Sequence, residues 1–331
     1  MKRTPLLFGG KIVVGLGLLL LVYHRLSPDD VALEFSRLRF LPLLGFTAIL
    51  FANTFLSALK WKWLLAADGL HVSLRTLFGS YLIGSFFNLF LPSTVGGDTY
   101  RIASIGRGRI AKSTAAVIAD RLSGLIALAT ICTVFTALNY NSVGHRSVAL
   151  LPLLILIAQM VLSVILLWPA NGRRLLGRVG LGRIPRFMSF LDRLSISFAT
   201  YRRQRMLLPR ILGVSFLFQF LCVLAIYCLS QALALGVPLI QFLVFVPIVV
   251  IFESIPISIY GLGLRDAGYV FFFRQIGLPS AEAAALAISV LYVVMTAGYA
   301  ALGGLLLANR LIKGRSGTEQ LDVRPKAPFS A

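Results

Sequence analysis

Long apolar runs alternate with short basic connectors along this chain. Crossing the hydrocarbon core takes roughly 18–20 apolar residues in a helix. On that criterion the pattern predicts full spans at 8–24, 40–59, 113–138, 148–168, 210–235 and 281–308. Two more apolar regions, 74–104 and 238–278, are interrupted near their middles by Pro and Gly. Proline removes an amide hydrogen and ends a helix, and glycine permits backbone angles other residues avoid.

The basic residues decide how the interrupted regions run. The segment 173–210 carries ten Arg and a single acidic residue, Asp192, so it is expected on the cytoplasmic side. The segment 101–112, with Arg101, Arg107, Arg109 and Lys112, is expected there too, as are Lys60, Lys62 and Arg75. Region 74–104 therefore begins and ends on one face. The uncharged stretch at 236–240 reads as external, and the basic tail after Ala308 as internal. Region 238–278 must then leave and return on the external face. After its break only Ala267 to Ile276 remain as an apolar arm, about 15 Å of helix, or half a bilayer core. The expected fold is an all-α polytopic membrane protein with six full transmembrane helices and two re-entrant broken-helix hairpins. The hairpins enter from opposite sides, giving an inverted repeat, 1–147 and 148–310. The remaining 311–331 is expected to be a disordered cytoplasmic tail.

The two breaks share residue classes. The first reads NLFLPSTVGGDTYR, Asn88 to Arg101, and the second FESIPISIYGLGLRD, Phe252 to Asp266. Pro92, Ser93, Gly96, Gly97, Asp98 and Arg101 stand against Pro256, Ser258, Gly261, Gly263, Arg265 and Asp266. Irregular backbone at membrane depth survives only inside protein or along a wet cavity, and helix N-termini attract anions. An ionised side chain at a helix centre costs about 2.5 to 3.5 kcal/mol to insert, so Asp98, Glu253, Arg265 and Asp266 should pair or face a cavity. Asp120 and Arg121, in the third span, are expected to join them. Arg suits a phosphate through its planar fork. Arg101, Arg121 and Arg265 are the candidate phosphate contacts, and Asp98, Glu253 and Asp266 would balance them or meet a cationic group. Competing structural readings exist: Arg101 and Arg121 as interfacial anchors, Asp120–Arg121 as an interfacial pair, and Glu253–Arg265 as an ion pair that fixes the hairpin. Asn53 reads as a helix–helix hydrogen bond, and Ala297, Gly298, Ala301 and Gly304 as a close-packing stripe.

Composition narrows the class. Of 331 residues 58% are hydrophobic and 13% charged, with mean hydropathy +0.86, whereas soluble domains carry about 25% charged residues. A net charge of +20 suits nucleic acid in a soluble protein. Here it flanks apolar spans and meets anionic lipid, so no nucleic-acid partner is expected. Cys132, Cys222 and Cys228 lie inside apolar stretches without disulfide or CxxC spacing. His24, His71 and His145 are dispersed. No metal site, cofactor or catalytic residue follows. The basic, apolar N-terminus lacks a small-residue cleavage site and reads as a retained helix. In 173–207, Phe187, Leu191, Leu194, Phe198 and Tyr201 recur at helical spacing among arginines, which predicts a helix lying on the cytoplasmic membrane surface.

Four motifs, KWKWLL (60–65), FNLFLPSTVGGDTYR (87–101), Ala119–Asp120–Arg121 and SIPISIYGLGLRD (254–266), resemble the lysylphosphatidylglycerol synthase transmembrane-region family. With the span pattern, the likeness extends over nearly the whole chain. It implies a membrane domain that handles phospholipids or lipid-linked head groups. In the synthases this domain is linked to moving an aminoacylated lipid between leaflets, beside a soluble aminoacyl-transfer domain. The chain ends about 23 residues past its last span, so that second domain is not expected. Relatives without it are associated with other lipids, including hopanoid and glycolipid pathways. Lys60 departs from the Arg expected at its position.

The function expected is that of a flippase-like transporter in a bacterial inner membrane, with both termini cytoplasmic. It would move a phosphate-bearing head group, of a phospholipid or a lipid-linked molecule, between leaflets, with anionic or aminoacylated phospholipid as the expected partner, and would not be an enzyme. The rival readings are a membrane-embedded enzyme acting on a phospholipid or polyprenyl-phosphate, and an accessory subunit that recruits a glycosyltransferase or lipid synthase.

Overall fold

The computed structural model describes residues 28–90, 95–106, 109–138, 154, 156–157, 160–161, 196–253 and 263–312. The described residues are helical throughout, with short turns between helices. The helices are α1 (Pro28–Ser36), α2 (Phe40–Ala67), α3 (Leu74–Phe90), α4 (Val95–Ser104), α5 (Ile110–Leu138), α6 (Leu207–Ala232), α7 (Leu239–Glu253), α8 (Leu264–Gln275) and α9 (Ala281–Ile312). A further helical stretch at 196–203 precedes α6.

Among the described residues α2, α5, α6 and α9 are long and apolar enough to cross a membrane. They match the spans expected at 40–59, 113–138, 210–235 and 281–308. The expected span at 8–24 lies outside the described residues, and so does nearly all of that at 148–168. The long helices turn large apolar side chains outward, among them Phe40, Leu41 and Leu44 on α2 and Val294, Leu302 and Leu305 on α9. In water such surfaces would be a liability; against lipid tails they are the expected exterior.

Side-chain pairings fix the helix directions. Asn53 meets Cys222 and Lys60 meets Ser215, so α2 and α6 run in opposite directions. Lys60 meets Asp120 while Lys112 reaches the Asp68 carbonyl, so α5 opposes α2 as well. Phe46 packs on Tyr292 and Thr54 bonds Tyr299, which makes α9 run with α2. One end of the bundle, end A, therefore holds the finish of α2 and α9 and the start of α5 and α6. End B is the other.

The shorter helices pair off between them. In α3 and α4, the Gly97 N–H donates to Asn88 Oδ1 at 2.7 Å and Phe87 stacks on Tyr100 at 5.3 Å between ring centroids. The two helices meet at their glycines: a Cβ on Gly97 would stand 2.8 Å from both the Gly84 carbonyl and the Asn88 amide. The pair leaves from end A beyond α2 and returns to it before α5. Arg310, near the close of α9, donates to Tyr100 at that end. In α7 and α8, Phe245 packs on Phe272 and Phe273, and Val249 meets Gly268. This pair leaves end B beyond α6 and returns before α9. The short helices measure about 15 to 26 Å at 1.5 Å per residue, less than the roughly 30 Å of a hydrocarbon core.

Helix α9 touches both pairs. Near end B it packs on α8. Nearer end A, Gly303 lies against the Leu82 carbonyl of α3 and Gly304 against the Phe86 ring. The small-residue stripe expected on α9 is thus shifted. Gly304 packs as expected, but Gly298 has open space at its Cβ position and Ala301 is exposed. Gly303, one residue out of the expected register, makes the closest approach. Asn53 does form a helix–helix hydrogen bond, to Cys222 Sγ at 3.4 Å. All three cysteines are free.

In the basic segment, Phe187, Leu191 and Leu194 lie outside the described residues. Phe198 and Tyr201 are buried against protein, in a cluster with Trp61, Leu64, Leu207 and Ile211. Their helical spacing marks a face docked on the bundle.

Candidate functional site

A buried charge cluster forms where α2, α4 and α5 meet. Lys60 Nζ lies 2.7 Å from Asp120 Oδ1 and donates to Ser215 Oγ at 3.0 Å; Ser215 in turn donates to Ser123 Oγ at 3.1 Å. Arg101 Nη1 lies 3.0 Å from Asp98 Oδ1, and its Nη2 lies 3.4 Å from Asp120 Oδ2. Arg121 grips Asp98 Oδ2 through Nη2 and Nε at 2.8 and 3.0 Å. Tyr81 donates to Asp120 Oδ2 at 3.1 Å.

The Arg101 guanidinium also lies over two aromatic rings, 3.9 Å from the Tyr81 centroid and 4.6 Å from that of Trp61. A planar, weakly hydrated cation is suited to that stack. Its side chain is 4% exposed, against 46% for Arg121. Arg101 is no interfacial anchor, and Asp120 does not pair with its neighbour Arg121. Arg121 turns to Asp98 on α4, and Asp120 to Lys60, Tyr81 and Arg101 on three other helices.

Three cations face two carboxylates in this cluster. Among the described residues, Arg101 Nε and Trp61 Nε1 are buried and have no hydrogen-bond acceptor. A buried donor without a partner carries a cost of about 1–3 kcal/mol. An excess positive charge and two idle donors share one place, and a phosphate oxygen is the kind of group that satisfies both.

The local backbone brings Asp98 and Arg101 there. They lie three apart on α4, so they share a face, and α4 starts just beyond the first break. Asn88 serves the same hairpin by binding the Gly97 N–H, and Gly96 and Gly97 are buried at the crossing. Pro92 and Ser93 lie outside the described residues.

At the second hairpin Arg265 and Glu253 face each other from α8 and α7. Their closest atoms, Arg265 Nε and Glu253 Oε1, are 3.8 Å apart, too far for a hydrogen bond. The Arg265 guanidinium lies over the Tyr292 ring at 4.4 Å. Gly263 begins α8 with φ +83°, where a side chain would be strained. Asp266 closes that start by accepting the Gly263 N–H at 2.8 Å. This capping role explains its burial without a substrate. Pro256, Ser258 and Gly261 lie outside the described residues.

The two clusters stand at different heights. Tyr292 is level with Phe46 on α2, and the helical residues from Phe46 to Lys60 span about 21 Å. The first cluster is therefore nearer end A and the second nearer end B.

The candidates read from sequence omitted Lys60, Trp61, Tyr81, Ser215 and Tyr292. The available signal was KWKWLL, in which Lys60 stands two turns before the end of a largely apolar helix, beside Trp61 and Trp63. Outside the membrane-spanning helices, Tyr201 donates to Asp68 Oδ2 at 2.8 Å, tying the 196–203 helix to the end of α2. Burial pushes both the Asp68 carboxyl and the Tyr201 hydroxyl above their ordinary values. Among the described residues no group of His, Cys, Asp and Glu could hold a metal ion.

Apolar spans of this length, with paired charges inside the bundle, define a polytopic integral membrane protein. The chain belongs to the lysylphosphatidylglycerol synthase TM region family, whose profile matches residues 9–303. No curated protein and no solved structure matches the chain.

Proposed function

We propose that the protein is a lipid transporter that carries a phosphate-bearing head group between leaflets, with the Lys60–Asp98–Arg101–Asp120–Arg121 cluster as its head-group site. The observation that carries this reading is an excess of one positive charge, contributed by the half-exposed Arg121, beside two buried donors that have no partner among the described residues. A phosphodiester monoanion supplies one negative charge and several acceptors. Arg121, the most exposed member, would meet it first, while Arg101 is held ready between its rings. Membership in a family named for a lipid-synthase membrane region agrees with a lipid substrate.

On this reading the short helix pairs are re-entrant hairpins, and α2–α5 and α6–α9 are inverted repeats around them. Six full spans and two hairpins follow if 8–24 and 148–168 also cross. The helix directions support the inversion, since the first pair opens at end A and the second at end B. Such a pair of broken elements is a common frame for alternating access. End A is the cytoplasmic face of a bacterial inner membrane, because it gathers Arg75, Arg109, Lys112, Arg202, Arg203, Arg205 and Arg210. The partners are then membrane lipids, anionic or aminoacylated, and no catalysis is required of the protein.

The test is a leaflet-resolved assay in proteoliposomes. Fluorescent phosphatidylglycerol should cross faster than in protein-free vesicles, and a fluorescent diacylglycerol without phosphate should show no acceleration. Equal acceleration of both would remove the phosphate from the account. Chemical conversion of the lipid in place of movement would identify an enzyme, and movement that needs an added synthase or glycosyltransferase would identify an accessory subunit.

A further inference from the structure

We propose that Glu253 and Arg265 are a proton-coupling pair, so that the protein carries protons as well as lipid; this rests on the transport reading above. The two clusters differ in how completely they are paired. In the first, both carboxylates are engaged by cations at 2.7 to 3.4 Å. In the second, Glu253 and Arg265 approach only to 3.8 Å. Among the described residues, Glu253 Oε1, Arg265 Nε and Arg265 Nη2 have no hydrogen-bond partner. The guanidinium stacks over the Tyr292 ring at 4.4 Å.

A half-made buried pair is costly in either direction. Drawing the two groups together would complete the hydrogen bonds, and adding a proton to Glu253 would remove its unpaired charge. The pair therefore has two favourable states, closed and ionised or open and protonated. They differ by the separation of α7 and α8, which are the two arms of the second hairpin. The Glu253 side chain keeps 23% of its surface accessible while Arg265 keeps 2%, so Glu253 is the member a proton can reach. Asp266 is committed to the Gly263 N–H.

The groups facing Glu253 are Arg265 and Asp266, with Tyr269 and Tyr292 behind them. The other helices packed on α7, α5 and α6, carry Lys112, Asp120, Arg121 and Arg210 in their halves nearer end A, where Asp120 and Arg121 are already paired. In each cycle one proton enters from the more acidic compartment and binds a Glu253 oxygen. The hairpin arms part, and the same proton leaves to the other compartment as the ion pair re-forms. No bond other than O–H is made or broken. Movement of the second hairpin reaches the first through α9, which carries Tyr292 under Arg265 and Gly303 against α3.

The experiment uses vesicles containing the full chain, fluorescent phosphatidylglycerol and an entrapped pH dye. The ratio of lipid movement with a pH gradient to movement without one should be well above one for the wild type, and lipid movement should shift the dye signal. For Glu253→Gln the ratio should fall to one whatever its absolute rate, and Glu253→Asp should keep a ratio above one. A wild-type ratio of one with lipid still moving would overturn the coupling alone, and that measurement needs no variant to fold. Gradient-responsive movement in Glu253→Gln would overturn it equally. No lipid movement under any condition would overturn the transport reading and the coupling with it.

Discussion

Lys60 on α2 and Asp120 on α5 meet at 2.7 Å on two helices that run in opposite directions, with the lysine side chain 3% exposed. The pair ties the first hairpin to the bundle, because Asp120 also holds Arg101 of α4. Removing one partner of a buried ion pair strands the other.

Lys60→Met should therefore lower stability by about 3 kcal/mol, read as a reduced unfolding temperature in detergent. Lys60→Arg should be tolerated, since it keeps the charge. In the double variant Lys60→Met/Asp120→Leu the loss should be smaller than the sum of the single losses, by about 0.5–3 kcal/mol of coupling. Additive losses would show that the two residues act independently.

Gly303 and Gly298, both on α9, should respond oppositely to alanine. A Cβ on Gly303 would clash with the Leu82 carbonyl oxygen, whereas Gly298 has nothing within 4 Å. Gly303→Ala should force α9 and α3 apart at a cost of about 1–3 kcal/mol. Gly298→Ala should be neutral or stabilising by up to about 1 kcal/mol. Thermal unfolding of the two variants side by side decides it.

Arg101 and Arg121 should differ in their tolerance of lysine. Arg101 uses a flat guanidinium against two rings and two carboxylates, and lysine cannot reproduce that fork or that stack. Arg121 is half exposed and meets a single carboxylate oxygen. In the transbilayer assay Arg101→Lys should lose most movement, on the order of tenfold, which corresponds to about 1.4 kcal/mol. Arg121→Lys should keep the larger share. Equal effects would argue against a special place for the stack.

The Asp68–Tyr201 contact should be sensitive to pH. Burial raises the Asp68 carboxyl above its ordinary 3.8, so the folded state favours its protonated form. Its contribution to stability is then fully present below the unfolded value. It is lost as pH rises through the elevated folded value. Asp68→Asn, which fixes an uncharged side chain, should flatten that part of the stability profile between acid and neutral pH. Unfolding temperatures measured across the range, against wild type, check it.

The sequence made the breaks legible because Pro and Gly act locally. Asp98 and Arg101 were legible as site candidates, but their pairing was not read, although their three-residue spacing on a helix allows it. Lys60 was not, since counting lysines treats each as a marker of a helix end, and only the packing of α2 on α5 and α6 shows that this one turns inward. Phe198 and Tyr201 show a related limit: helical spacing identifies an apolar face but not whether lipid or protein covers it. Gly303 and Gly298 differ in the same way, because the crossing point of α9 and α3 is set by partners distant in sequence.

The most direct test of the account is whether lipid movement depends on the buried cluster. Wild type, Arg101→Gln and the surface control Arg203→Gln should be compared in the same proteoliposomes with fluorescent phosphatidylglycerol, after each is shown to be folded by its unfolding temperature. The account predicts that Arg101→Gln loses movement while Arg203→Gln matches wild type. A folded Arg101→Gln that moves the lipid at the wild-type rate would contradict it.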